Sequence, residues 1–184
     1  MDDQHEKDLC NLLLKNYKDA SIISNKFSSL KIELGEKLRN AVMTKLAVVI
    51  GSTFDISKGS KIAHTFSQIW ICSKTNKNSK TFFGIESFNE TGHLDGNLFI
   101  GIFNDGGGLK KENYANLNFN TLSSWWINIE EFGEYNNEKV NLGNSNLLTN
   151  LYGDEKYLDG LSDFIVSKAT SFITNNTKFV HDNS

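Results

Sequence analysis

Three short segments in the middle of the chain constrain its fold most: "SQIWICS" at 67–73, "KTFFGIESF" at 80–88 and "NLFIGIF" at 97–103. Each is rich in aromatic and β-branched residues. Polar connectors, "KTNKNSK" and the glycine-bearing "NETGHLDG", separate them. Runs of this length and composition, bounded by turn-forming residues, read as strands, and their tight connections make them neighbours in an antiparallel meander. In the third run Leu98, Ile100 and Ile102 point to one side, while Phe99 and Phe103 point to the other. A sheet apolar on both faces is expected to need cover on both, from helices or another layer.

On the N-terminal side the period changes. Leu9, Leu12, Leu13, Tyr17 and Ala20 recur at helical spacing, and Ile23, Phe27, Leu30, Leu34, Leu38, Ala41, Val42 and Leu46 continue the series. Two helices are expected there, or one broken near Ser21–Ser24, with Gly51 as the C-terminal stop. Gly35 weakens that helix by roughly 1 kcal/mol relative to alanine, which marks it as a point of close contact. Beyond the meander, "NDGGGLKKENYANLN" reads as a loop, and "SSWWINIEEF" fits either strand or helix. Leu158, Leu161, Ile165, Ala169 and Phe172 share one helical face and predict a helix over 154–174. The polar end, 175–184, is expected to fray.

With 184 residues, no proline and no internal repeat, one domain with its own core is the economical reading. The expected class is α+β over 1–184: N-terminal helices in 1–50, an antiparallel β-meander of three or more strands in 61–103, and a mixed then helical region in 121–174. Composition agrees, since 39% hydrophobic and 22% charged residues suit a soluble globular chain rather than a disordered one. The longest purely apolar run, 46–50, is too short to span a bilayer, and the start "MDDQHEKDLC" is too polar and acidic for a secretory signal. Cys10 and Cys72 lie in unrelated contexts, so neither a disulfide framework nor a zinc knuckle is expected. A reducing, cytoplasmic location follows as the expectation.

The motifs that would make an enzyme are missing. "VVIGSTFDISKGSK" (48–61) contains two glycines and a lysine, as a phosphate-binding loop does. However, seven residues separate Gly51 from Gly59, and Lys61 follows Ser60 instead of preceding a Ser or Thr. It reads as a helix-to-strand connector. Gly106, Gly107 and Gly108, followed by Lys110 and Lys111, form a possible anion-binding loop, but no G-x-G-x-x-G fingerprint or βαβ context accompanies them. His5, His64, His93 and His181 sit apart, neither H-E-x-x-H nor G-x-S-x-G occurs, and Cys72 lies in an apolar run where an inert thiol is expected. Glu86, Asp95 and Asp105 would hold a hard cation only if they converged. No catalytic residue, metal or cofactor is expected.

The order of a helical N-terminus, the "IWIC…FFGIESF…LFIGIF" meander, "SSWWINIEEF" and a terminal helix resembles the non-catalytic C-terminal part of proteins in the PD-(D/E)XK nuclease superfamily, over residues 25–174. The family's metal-binding chemistry rests on an Asp followed by Glu-x-Lys, and no Glu-x-Lys occurs in this chain. Phe88 stands where the lysine would follow Glu86. No catalytic residue is carried over.

Surface chemistry remains. Net charge is −3, but residues 1–80 carry 13 Lys/Arg against 8 Asp/Glu, whereas 81–184 carry 6 against 14. Only one of the cations is arginine, Arg39. Trp125 and Trp126 stand near Glu130, Glu131 and Glu134. Adjacent tryptophans point in different directions, so both are not expected in one core cluster; Trp125 and Trp126 with Glu130, Glu131 and Glu134 are the expected protein-binding residues, the rings as anchors and the acids steering a basic partner. The leading expectation is a non-enzymatic protein-binding factor, of the small acidic inhibitor, immunity or counter-defence type, acting on a basic protein partner. The alternative is a nucleic-acid-associated domain or divergent metal-dependent nuclease relative, using lysines of 58–80.

Overall fold

The meander forms, and it has a further strand at each edge. A computed structural model, which describes residues 3–76 and 78–182, contains a five-stranded antiparallel sheet in sequential order. Its strands are β1 (Phe54–Lys58), β2 (Gln68–Ser73), β3 (Thr81–Glu86), β4 (Phe99–Asn104) and β5 (Trp126–Glu131). β1 lies inside the segment expected to be a connector, and it separates Gly51 from Gly59. Its short FDISK stretch carries few apolar residues, and pairing with β2, from Phe54 opposite Ser73 to Lys58 opposite Ile69, makes it a strand. β5 resolves the ambiguity of "SSWWINIEEF" in favour of strand. A register shift between Ile102 and Phe103 marks a bulge where it joins β4.

The helices are α1 (Asp3–Lys15), α2 (Tyr17–Ile50), α3 (Ser145–Gly153) and α4 (Glu155–Asp182). The break in the N-terminal helix falls at Asn16, not near Ser21–Ser24. Gly51 does follow α2 as its C-cap, although with right-handed helical φ/ψ. A Cβ on Gly35 would stand 2.5 Å from the Phe88 carbonyl oxygen, so α2 lies directly on the chain leaving β3. α4 runs past Thr174 to Asp182. Its last turns are held by Phe179 against Phe119, ring centroids 5.0 Å apart, and by the buried Val180. A small hairpin, β6 (Glu134–Tyr135) and β7 (Glu138–Lys139), links β5 to α3.

Only one face of the sheet has the helical cover that two apolar faces were expected to need. On that face Ile69, Ile71, Phe83, Ile85, Ile100 and Ile102 are fully buried, in one core with Leu38, Val42 and Leu46 of α2 and Leu161, Ile165 and Ala169 of α4. Phe83 meets Phe172 of α4 edge-on. The other face forms a separate cluster of Phe99, Trp126 and Ile129, with Trp70, Phe103, Leu94 and Leu122 against them, and among the described residues none from an α-helix takes part.

Candidate functional site

Glycine makes the second face possible. Gly84 of β3 stands opposite Trp70 on one side and Gly101 of β4 on the other. A Cβ on Gly84 would lie 2.6 Å from the Trp70 ring and 2.8 Å from that of Trp126, and one on Gly101 would lie 2.8 Å from Trp126. The missing side chains let two indoles lie down on the strands, stacked with centroids 6.0 Å apart. The layer continues toward the β2–β3 turn. Trp70 meets Phe82 at 5.5 Å and Phe103 at 4.8 Å, Phe82 meets Phe103 at 5.4 Å, and Phe103 meets Trp125 at 5.7 Å. Trp70, Phe82 and Phe103 are half-buried, while Trp125 is 45% exposed.

Two loops border this end of the layer. The β2–β3 turn brings Lys80 and the β4–β5 loop brings Lys110 and Lys111, all exposed. They touch where the Asp105 N–H donates to the Lys80 carbonyl at 2.7 Å. The second loop is pinned by the buried Asn104, whose side-chain amide donates to the Leu109 and Ser124 carbonyls and accepts from the Leu109 N–H. Gly106 and Gly107 sit at φ of 63° and 64° with open space around them, so the glycines of the expected anion loop form its exposed turn. Among the described residues, Lys80, Lys110 and Lys111 form no ion pair.

The expected tryptophan–glutamate surface is divided. Trp126 is 1% exposed and belongs to the ring layer, which leaves Trp125 as the accessible member of the pair. Glu130, Glu131 and Glu134 are exposed but lie toward the far end of β5. A strand advances about 3.3 Å per residue, so Trp125 and Glu131 are roughly 20 Å apart. Extended backbone separates residues that are close in sequence. The acids instead share their end of the molecule with Glu90, Asp95 and Glu138, which with Glu134 and Lys139 line an open concavity.

Glu86, Asp95 and Asp105 do not converge. Asp105 follows the end of β4 where Asn104 pairs with Thr81, whereas Glu86 pairs with Phe99 at the opposite end. Glu86 is itself committed. Buried to 1% exposure, it accepts from the Gln68 amide at 3.0 Å and shares a 2.5 Å hydrogen bond with Nδ1 of His93, whose ring stacks on Phe66. Gln68 is tied in turn to Arg39 of α2, whose guanidinium donates to the Ser60 and Gln68 carbonyls and to Glu36. This network locks loops onto the sheet. Burial pushes the Glu36 carboxyl up, but hydrogen bonds and charge from Lys58 and Arg39 outweigh it and hold the group below its ordinary range. Burial, reinforced by the charge of Asp55, pushes the Cys72 thiol up and away from thiolate chemistry. Among the described residues no group of three or more His, Cys, Asp or Glu side chains is placed to hold a metal ion, and no helix is long and apolar enough to cross a membrane.

The sequence reading singled out Trp125 and Trp126 together, of which only Trp125 is accessible, and missed Trp70, Phe82 and Phe103 as its companions. Their signal was available as aromatic residues on the same side of successive strands, with glycines between them. Comparison with protein-family models, curated proteins and solved structures finds no match to this chain.

Proposed function

We propose that this chain is a non-enzymatic binding module whose open aromatic sheet face holds single-stranded nucleic acid. The observation that carries this reading is the chain of ring contacts through Trp70, Phe82, Phe103 and Trp125, at the strand ends from which the loops bearing the exposed Lys80, Lys110 and Lys111 leave. Flat rings on a sheet offer stacking to any base, and cations beside them meet the phosphates. The scarcity of arginine suits a surface that grips backbone and stacks bases without reading their edges. A basic protein partner, the leading expectation from the sequence, is favoured by a different observation: the acidic concavity of Glu90, Asp95, Glu134 and Glu138. Trp125, the anchor expected from the sequence, does not lie beside it but at the other end of β5.

A tryptophan-fluorescence titration of the full chain with short oligodeoxythymidine tests the reading. Saturable quenching is expected, and three lysine–phosphate contacts would weaken binding roughly fifteen-fold between 50 and 200 mM salt. Trp125→Ala is expected to cost about 1–3 kcal/mol of binding, the value of one stacked base, while leaving thermal stability unchanged. Absence of binding at 50 mM salt, or binding indifferent both to Trp125→Ala and to Lys110→Glu with Lys111→Glu, would overturn it.

A further inference from the structure

The β4–β5 loop folds back toward Trp125 around a concavity of about 550 Å³, within the range of about 300–1,000 Å³ where small-ligand sites fall. Lys110, Lys111 and Tyr114 line it from the outgoing part of the loop. Ser123 and Ser124 line it from the returning part, which runs directly into Trp125. Tyr114 is the unusual member. The residue is 6% exposed and belongs to the core, yet its hydroxyl makes no hydrogen bond among the described residues. A buried phenol ordinarily finds a partner, and the concavity it lines is where one can arrive. The serine hydroxyls are also available as donors. Ser124 Oγ makes no hydrogen bond among the described residues, and Ser123 Oγ accepts from the Trp125 and Trp126 N–H groups, both at 3.1 Å, which leaves its proton to give. Glu112 is the one carboxylate in the described lining, against two lysines that form no ion pair.

We infer that this pocket takes the phosphomonoester of a nucleotide at the end of the strand, so that a phosphorylated terminus binds in preference to an internal stretch. The inference rests on the stacking face proposed above and adds to it a seat for the strand's end. A phosphomonoester carries about −1.5 to −2 charge at neutral pH and three strong acceptor oxygens, whereas a phosphodiester within a strand carries about one charge. The donor set suits the monoester. Lys110 and Lys111 supply charge, and the hydroxyls of Tyr114, Ser123 and Ser124 supply neutral donors for the oxygen that a diester would have tied up in its second ester bond. Ser124 adjoins Trp125, with Cα atoms about 3.8 Å apart, so a base stacked on the exposed Trp125 ring keeps its phosphate within reach of the pocket.

Fluorescence titrations of the full chain test it, with oligodeoxythymidines of equal length carrying a 5′-phosphate, a 3′-phosphate or neither, and with thymidine 5′-monophosphate against thymidine. One of the phosphorylated strands is expected to bind roughly ten-fold tighter than the unphosphorylated one. Tyr114→Phe keeps the buried ring and is expected to remove most of that advantage, the value of one hydrogen bond to a charged group, without changing thermal stability or the binding of the unphosphorylated strand. Equal binding of all three strands would overturn the inference and leave the stacking face standing. A phosphate preference untouched by both Tyr114→Phe and Ser124→Ala would overturn it too, by placing the phosphate elsewhere. If no strand binds, but thymidine monophosphate binds better than thymidine and Tyr114→Phe weakens it, the stacking face falls and the pocket remains. Failure of every phosphorylated probe overturns both.

Discussion

The two faces of the β1–β5 sheet are built from the same strands yet are finished differently. One is paved with Ile and Phe and closed by α2 and α4; the other carries Trp and Phe over glycine and closes largely on itself. Aliphatic side chains need a second layer to leave water. Large rings lying flat cover much of the sheet themselves and keep one surface outward. The covered face therefore holds the fold together, while the ring layer buries Phe99 and Trp126 and leaves Trp125 exposed with Trp70, Phe82 and Phe103 half-buried.

Truncations on the two faces should separate these roles. Phe83→Ala, at a fully buried ring under α4, is expected to cost about 3–5 kcal/mol in urea unfolding, against about 1–2 kcal/mol for the half-buried Phe103. Equal losses would break the distinction. Gly84→Ala is expected to cost about 1–3 kcal/mol by lifting Trp70 and Trp126 off the strands, with a visible shift in indole emission. An unchanged spectrum would show that the glycines do not set the ring layer.

Smaller effects probe the joints around the sheet. Because the Glu36 carboxyl is held below its ordinary value of 4.5, its contribution is present above that value and is lost as pH falls below it. Its partial exposure and solvent screening limit this to no more than about 1 kcal/mol. Glu36→Gln should flatten the acid limb of a stability–pH curve, and an unchanged limb would place the acid sensitivity elsewhere. Smallest in stability but readily measured is thiol reactivity. The exposed Cys10 should react with a thiol reagent well before Cys72, whose thiol is pushed up by burial and Asp55. Equal rates would mean that β2 opens more easily than its pairing implies.

The sequence carried the architecture wherever a period was long enough to read. The meander's inner strands and the α4 face of Leu158, Leu161, Ile165, Ala169 and Phe172 follow directly from apolar spacing, and all five of those residues are buried. β1 was hidden because five mostly polar residues become a strand only by pairing with β2. The site was half legible. Trp125 stands out locally, but its relation to Trp70 and Phe82 is set by register across three strands, which spacing along the chain does not encode. The same effect misled the reading of Glu130, Glu131 and Glu134, since neighbours along an extended strand are carried apart.

The division of labour between the faces is tested most directly by mapping NMR chemical-shift changes as oligodeoxythymidine is added to the full chain. The expected result is a continuous set of perturbed signals from Trp70, Phe82, Phe103, Trp125, Lys110 and Lys111, with the buried Ile69, Ile85 and Ile100 silent. Perturbations confined to Glu90, Asp95 and Glu134, or none at all, would contradict it.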